Sequence, residues 1–181
     1  MVVDEKSNEL TAIPRLLELL DVHGALVTID AMGCQKDIAQ KIVDGRGDYI
    51  LPVKENQPHL LEDIQTCLAK ALESDGAGIQ WDTHETEDHA HGRQEKRSYR
   101  IIVDPEGIRN QEAWANLRVI GMCTSERVVN GKRSDEIHYF IGSRVMSARK
   151  YGQALRGHWG IENNLHWQLD LTWASPTAPK G

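Results

Sequence analysis

The stretch GHWGIENNLHW (157–167) sets one carboxylate, Glu162, between two imidazoles, His158 and His166, four residues away on either side. On a helix these three fall at i, i+4 and i+8, one above another. Three chemistries suit such a face. It is a solvated polar surface; or it is a zinc or iron site, which then needs further ligands; or the glutamate joins aspartates from strands in a magnesium-type site, because Mg²⁺ prefers carboxylate oxygens and water to imidazole. Trp159 and Trp167 read most simply as anchors of this helix in a core, with stacking on a nucleic-acid base as their second use.

Asp30 is the candidate partner acid. It closes the apolar, β-branched run ALVTID (25–30), at the C-terminal end of a buried strand, where open α/β sheets build their sites. An aspartate just before a helix also serves as its N-cap. Asp48, at the start of the next strand, reads as structural. Two basic stretches accompany the acids. HAHGRQEKRSYR (89–100) carries Arg93, Lys96, Arg97 and Arg100 around Glu95. In a strand, 93, 95 and 97 point one way and 94 and 96 the other. It is either a solvated charged strand or a phosphate-contacting patch for DNA. VKENQ (53–57) places Lys54, Asn56 and Gln57 at a strand-to-helix turn, where a helix N-terminus can take a phosphate.

The elements that must position these groups change character along the chain. TAIPRLLELLDVHG (11–24) reads as a helix with Pro14 in its first turn and a glycine stop. ALVTID is a strand, 34–47 a helix, DYILPV (48–53) a second buried strand and 56–74 an amphipathic helix. This alternation predicts a mostly parallel sheet with helices on its faces. From Ile79 to about Ile141 β-prone stretches dominate, and Asn130-Gly131 is a strong hairpin signal. After Ser147, a candidate cap, the chain is helical again. The expected organisation is a core over 1–78, a β-rich insertion over 79–142, a helical region over 143–173 and a disordered tail over 174–181.

Composition narrows the class. With 181 residues, 40% apolar and 27% charged, the chain is long enough to bury a real core. A net charge of −6 argues against a general nucleic-acid binder but leaves room for a local basic patch beside acidic groups. Three scattered cysteines, Cys34, Cys67 and Cys123, offer neither a disulfide framework nor a CxxC zinc site. The acidic N-terminus is no signal peptide, and no apolar run reaches the roughly 18 residues of a membrane span. Cytoplasmic location without membrane partners is the expectation. No GxGxxG or Walker A loop points to a nucleotide cofactor.

Four segments in order, EKSNELTAIPRLLELLD, LVTIDAMGCQKDIAQKIVDGRGDYILPVKENQ, HGRQEKRSY and RGHWGIENNLHWQLDLT, closely resemble bacterial insertion-sequence transposases of the H-repeat-associated kind, which have a DDE catalytic core. The resemblance covers residues 4 to 173. It implies an RNase H-like fold: a mixed sheet flanked by helices, with a β-rich insertion before the last catalytic helix. It implies Asp30 as the second acid of the triad and Glu162 as the glutamate. These would hold Mg²⁺ or Mn²⁺ for cleavage and strand transfer of DNA at transposon ends. Lys54, Asn56, Gln57, Arg93, Lys96, Arg97, His158 and Trp159 become candidate DNA contacts. The first aspartate of the triad, expected in an Asp-Gly-Lys-like context, has no counterpart in these 181 residues, nor do the first strands of the sheet. ASPTAPKG does not continue the family pattern. The expectation is therefore a truncated, inactive transposase fragment that pairs with itself or with a full-length transposase. A non-catalytic DNA-binding or oligomerising module that inhibits intact transposase is the alternative.

Overall fold

The computed structural model describes residues 5–90 and 93–158. Trp159, Glu162, His166, Trp167 and the tail 174–181 lie outside the described residues. Helix α1 spans Glu5–Leu19, strand β1 Leu26–Thr28, α2 Lys36–Asp44, β2 Asp48–Val53 and α3 Pro58–Glu73. Four longer strands follow, β3 Trp81–Ala90, β4 Arg93–Val103, β5 Val119–Val129 and β6 Lys132–Gly142. The last described helix, α4, covers 148–158.

Helix α1 starts and stops earlier than the proline and glycine signals predict, so Pro14 lies inside it. A proline early in a run marks a helix start only when what precedes it cannot be helical, and here the helix-compatible EKSNEL does precede it. β1 and β2 are parallel, Leu26 beside Asp48 and Thr28 beside Ile50, with α2 as the crossover. The β-rich segment does not stand apart from them. β6 pairs antiparallel with β2, from Ile50 opposite Gly142 to Val53 opposite Tyr139, giving one six-stranded mixed sheet in the order β1-β2-β6-β5-β4-β3. Asn130 and Gly131 both take positive φ, 50° and 75°, and close the β5–β6 hairpin with Val129 opposite Lys132. Two positive φ values are what a type I′ turn demands, and asparagine and glycine tolerate them best.

Each face of the sheet has its own core. On one side Leu51, Val53, Ile102, Ile120 and Ile141 pack with Ile38 and Ile42 of α2 and Ile64 and Leu68 of α3. On the other, Ile50, Tyr99, Ile101, Cys123 and Phe140 receive Ala148, Tyr151 and Leu155 of α4. A strand covered on both faces reads as a continuous apolar run rather than an alternating one, which is why DYILPV has no period of two. The result is the helix-flanked mixed α/β sheet that the resemblance implies.

Helix α4 is fixed at several points. Its first amide, Ala148 N, donates to Asp82 Oδ2 of β3 at 2.7 Å, and Ser147 Oγ accepts from Lys150 N at 3.4 Å. Arg156 reaches Asp88 of β3 at 2.7 Å. The close approach needs glycine on the sheet: a methyl group at Gly142 would overlap the hydroxyl oxygen of Tyr151, which is fully buried and donates to Arg144 O at 2.7 Å. Gly142→Ala is therefore expected to destabilise the fold by about 2 kcal/mol, through overpacking and a displaced buried hydroxyl. Adding Tyr151→Phe, which removes the clashing oxygen, should recover part of the loss. Denaturant midpoints of the two variants check this, and an unchanged midpoint for Gly142→Ala would refute the packing account.

Candidate functional site

The C-terminal ends of β1 and β2, the β5 and β6 strands and the end of α4 enclose a cleft of roughly 320 Å³. Asp30, Lys54, Arg97, Ser125, Arg127, Glu136, His138 and His158 supply its polar lining. The parallel β1–β2 pair delivers Asp30 and Lys54 to the same end of the sheet, and β6, running the other way beside β2, brings His138 to meet them.

Asp30 caps a turn and also faces the cleft. Its Oδ1 accepts from Gly33 N at 3.2 Å and caps the short 3₁₀ turn Ala31–Gly33. Its Oδ2 makes no hydrogen bond among the described residues, and the residue is exposed at the cleft. Asn56 and Gln57 brace this loop: Asn56 Nδ2 donates to Ala31 O at 2.8 Å and Gln57 Nε2 to Cys34 O at 2.9 Å. Their amide donors are committed to the loop that presents Asp30. Lys54 is exposed, lines the cleft and forms no ion pair among the described residues. His158, at the end of α4, reaches across to Thr28, with Nδ1 3.2 Å from Oγ1. Asp48, in contrast, is structural, accepting from Ser143 Oγ at 2.9 Å and pairing with Arg144 at 3.2 Å.

The basic strand divides as its alternation requires. Arg93 and Arg97 share a face with Glu95, whereas Lys96 points to the opposite face and pairs with Glu85 at 3.2 Å, away from the cleft. Arg97 lines the cleft; Arg93 reaches Glu95 one rung further out. Trp159 and Glu162 lie outside the described residues. Ser125, Arg127, Glu136 and His138 are cleft residues that pattern reading passed over. The Asn-Gly turn held the signal for part of this, because it fixes the β5–β6 register and so sets Arg127 beside Ser134 and Ser125 beside Glu136. The β4–β5 register that puts Glu95 opposite Arg127 has no such local marker.

Glu95 is the electrostatic centre of this face. Its side chain is 5% exposed and is met by Arg93 at 2.6 Å, Arg97 at 2.7 Å and Arg127 at 3.2 Å. Burial pushes its pKa up, but the arginines outweigh burial and hold it below the usual carboxylate range. Burial raises the Cys34 thiol to about 12 and Cys123 to about 11. Among the described residues no three His, Cys, Asp or Glu side chains are grouped to hold a metal ion, and no helix is long and apolar enough to cross a membrane.

Because the folded-state pKa of Glu95 is depressed, its stabilisation is complete above the unfolded value near 4.5 and is lost as pH falls through the lower folded value. Glu95→Gln should cost on the order of 2 kcal/mol near neutrality. The gap between wild type and variant in denaturant melts should narrow as pH falls below the unfolded value near 4.5 and through the lower folded value. A gap that stays constant or widens toward acid would contradict the ion cluster.

No solved structure matches the chain. The family described as "Transposase DDE domain" matches residues 1–175. The chain is 42% identical over 172 residues to "Putative transposase YncI" of Escherichia coli O157:H7, an alignment that covers 93% of this chain and 43% of that protein. It is 38% identical over 174 residues to "H repeat-associated putative transposase YhhI" of Escherichia coli strain K12, covering 93% of this chain and 45% of the relative. The chain thus spans less than half the length of these relatives. With a family match across nearly all of its residues and a helix-flanked mixed sheet to go with it, the chain belongs to the DDE-domain transposases.

Proposed function

We propose that the cleft is the DNA-processing centre of a DDE-type transposase, with Asp30 and Glu162 as two of its acids and the phosphodiester backbone of transposon ends as its substrate. The observation that carries this is Asp30: a carboxylate at the carboxyl end of β1, exposed in a cleft lined by Lys54, Arg97 and Arg127, with one oxygen uncommitted among the described residues. Glu162 follows His158 by four residues in the sequence. His158 in turn touches Thr28, two residues before Asp30.

The donor chemistry fits a hard cation. Mg²⁺ binds through one or two carboxylates, waters and substrate phosphates rather than an all-protein cage, and Asp30 Oδ2 and Glu162 are the groups that would hold it. When bound, the ion supplies activation of water or a 3′-hydroxyl and stabilisation of the leaving oxygen. Asn56 and Gln57 keep the Asp30 loop in place, which makes them positioning residues. Lys54 and Arg97 neutralise and orient the phosphate, and the end of α4 closes the cleft from above. Only two of the three family acids are in the sequence, so the 181 residues on their own bind DNA without cutting it. The cytoplasm, where transposon DNA is reached without crossing a membrane, is the proposed compartment.

Mn²⁺ titration followed by electron paramagnetic resonance tests the acids without relying on turnover. Asp30→Asn and Glu162→Gln should each weaken Mn²⁺ binding by about tenfold or more, since even residues that only orient metal ligands cost about 10–100-fold. Unchanged Mn²⁺ affinity in both variants would overturn the assignment. In a nicking assay with Mg²⁺ or Mn²⁺, the chain should give no signal above a Glu162→Ala control. Binding of DNA with no acid-dependent metal site would favour a non-catalytic module that competes with intact transposase.

A further inference from the structure

The face of the sheet that carries α4 changes chemistry along its strands. Under α4 it is apolar, with Tyr99, Cys123 and Phe140. One rung further out Arg97 stands opposite Ser125, then Glu95 opposite Arg127. Glu95 takes hydrogen bonds from the Nη2 atoms of Arg93, Arg97 and Arg127 and, at 3.3 Å, from Ser125 Oγ. Three guanidinium charges surround one carboxylate. Structural need alone does not call for three. Asp63, the other buried carboxylate with an arginine partner, is satisfied by Arg109 N at 2.8 Å and Arg109 Nε at 2.7 Å, from one residue.

Glu95 offsets one of the three charges; among the described residues Arg93, Arg97 and Arg127 form ion pairs with no other carboxylate, although Asp30 and Glu136 also line the cleft. Arg97 and Arg127 both line the cleft. Arg127 keeps 39% of its side chain exposed, and its Nε is buried with no hydrogen-bond partner among the described residues. Each guanidinium gives Nη2 to Glu95. A planar fork with five donors keeps others for a ligand, and its orientation is already fixed. A phosphate, with a charge and several acceptor oxygens, is the ligand such forks match.

We propose that Arg97 and Arg127, held in orientation by the buried Glu95, form a preorganised phosphate-binding site that seats a DNA backbone phosphate beside Asp30, with Glu95 as its positioning residue. The choice of DNA as the source of that phosphate rests on the transposase reading of the cleft; the arginine arrangement does not depend on either catalytic acid.

Fluorescence anisotropy with a double-stranded oligonucleotide in EDTA, across a salt series, tests it. Arg127→Ala should weaken binding and lower the slope of log K against log salt by about 1, the signature of one lost phosphate contact. Glu95→Gln is the discriminating variant. It makes the protein more positive, so a merely diffuse field predicts tighter binding. A positioning role predicts weaker binding. Arg127→Lys, which keeps the charge but loses the fork, should also bind more weakly, and circular dichroism melts confirm that each variant is folded at the assay temperature. Tighter or unchanged binding by Glu95→Gln, or an unaltered salt slope for Arg127→Ala, would overturn the proposal, as would failure of the wild-type chain to bind DNA at low salt. Asp30→Asn removes a negative charge beside the phosphate and should bind DNA in EDTA more tightly than wild type while losing Mn²⁺ affinity, so loss of the metal site and loss of the phosphate site register in separate measurements.

Discussion

Where β2 lies antiparallel to β6, with Val53 opposite Tyr139 and Ile50 opposite Gly142, two parts of the chain far apart in sequence become neighbours. One part carries Asp30 and Lys54 at the end of a small parallel unit. The other carries the long antiparallel strands and their arginines. Without this ladder each would expose backbone donors and acceptors along an unpaired edge, and neither would own a cleft. With it, Ile50 and Leu51 are sealed between α4 on one face and α2 and α3 on the other, and the residues that line the cleft converge on one end of the sheet.

The same ladder explains why a chain of net charge −6 can present a basic surface. Charge along the outer strands is sorted by face rather than averaged. Lys96 goes to one side and pairs with Glu85, while Arg93, Arg97 and Arg127 go to the other and share Glu95. Net charge describes the long-range field of a protein; what a ligand meets in a cleft is the local arrangement, less screened by water.

The parallel βαβ unit was legible in the sequence because both of its strands are buried on two sides and its helices are amphipathic. The hairpin turn was legible because Asn130-Gly131 is chemically suited to two positive φ values. What stayed hidden was set by partners remote in sequence. The start of α1 depends on residues before Pro14, which local stop and start rules misread. The cap of α4 comes mainly from Asp82 on β3, in addition to Ser147 beside it. Glu95 looked like one acid in a basic strand, and only its pairing opposite Arg127 makes it the centre of a cluster. A place at a helix N-terminus makes Asn56 and Gln57 candidate DNA contacts, and in the fold their amide donors are turned to Ala31 O and Cys34 O. Asp30 was the readable part of the site, since the end of a buried strand can be placed from its apolar run alone.

On the proposed reading the cleft holds both a metal-binding carboxylate and phosphate-binding cations, and such a cleft faces a conflict: left alone, the two would neutralise each other. In this chain Asp30 shares the cleft with Lys54, Arg97 and Arg127, yet no ion pair joins it to any of them among the described residues. Among the described residues its one hydrogen bond comes from a backbone amide, Gly33 N, and its second oxygen stays open. The arginines are kept from it by a different acid, buried deeper and on another strand. Glu95 gives the guanidinium groups a partner that is not Asp30, and on the proposed reading it also orients them. Coulomb attraction grows as water is excluded, so this separation matters most when a substrate fills the cleft. A carboxylate already bound to arginine would have to give up that pair before it could accept a cation, and a site divided as this one is avoids that cost.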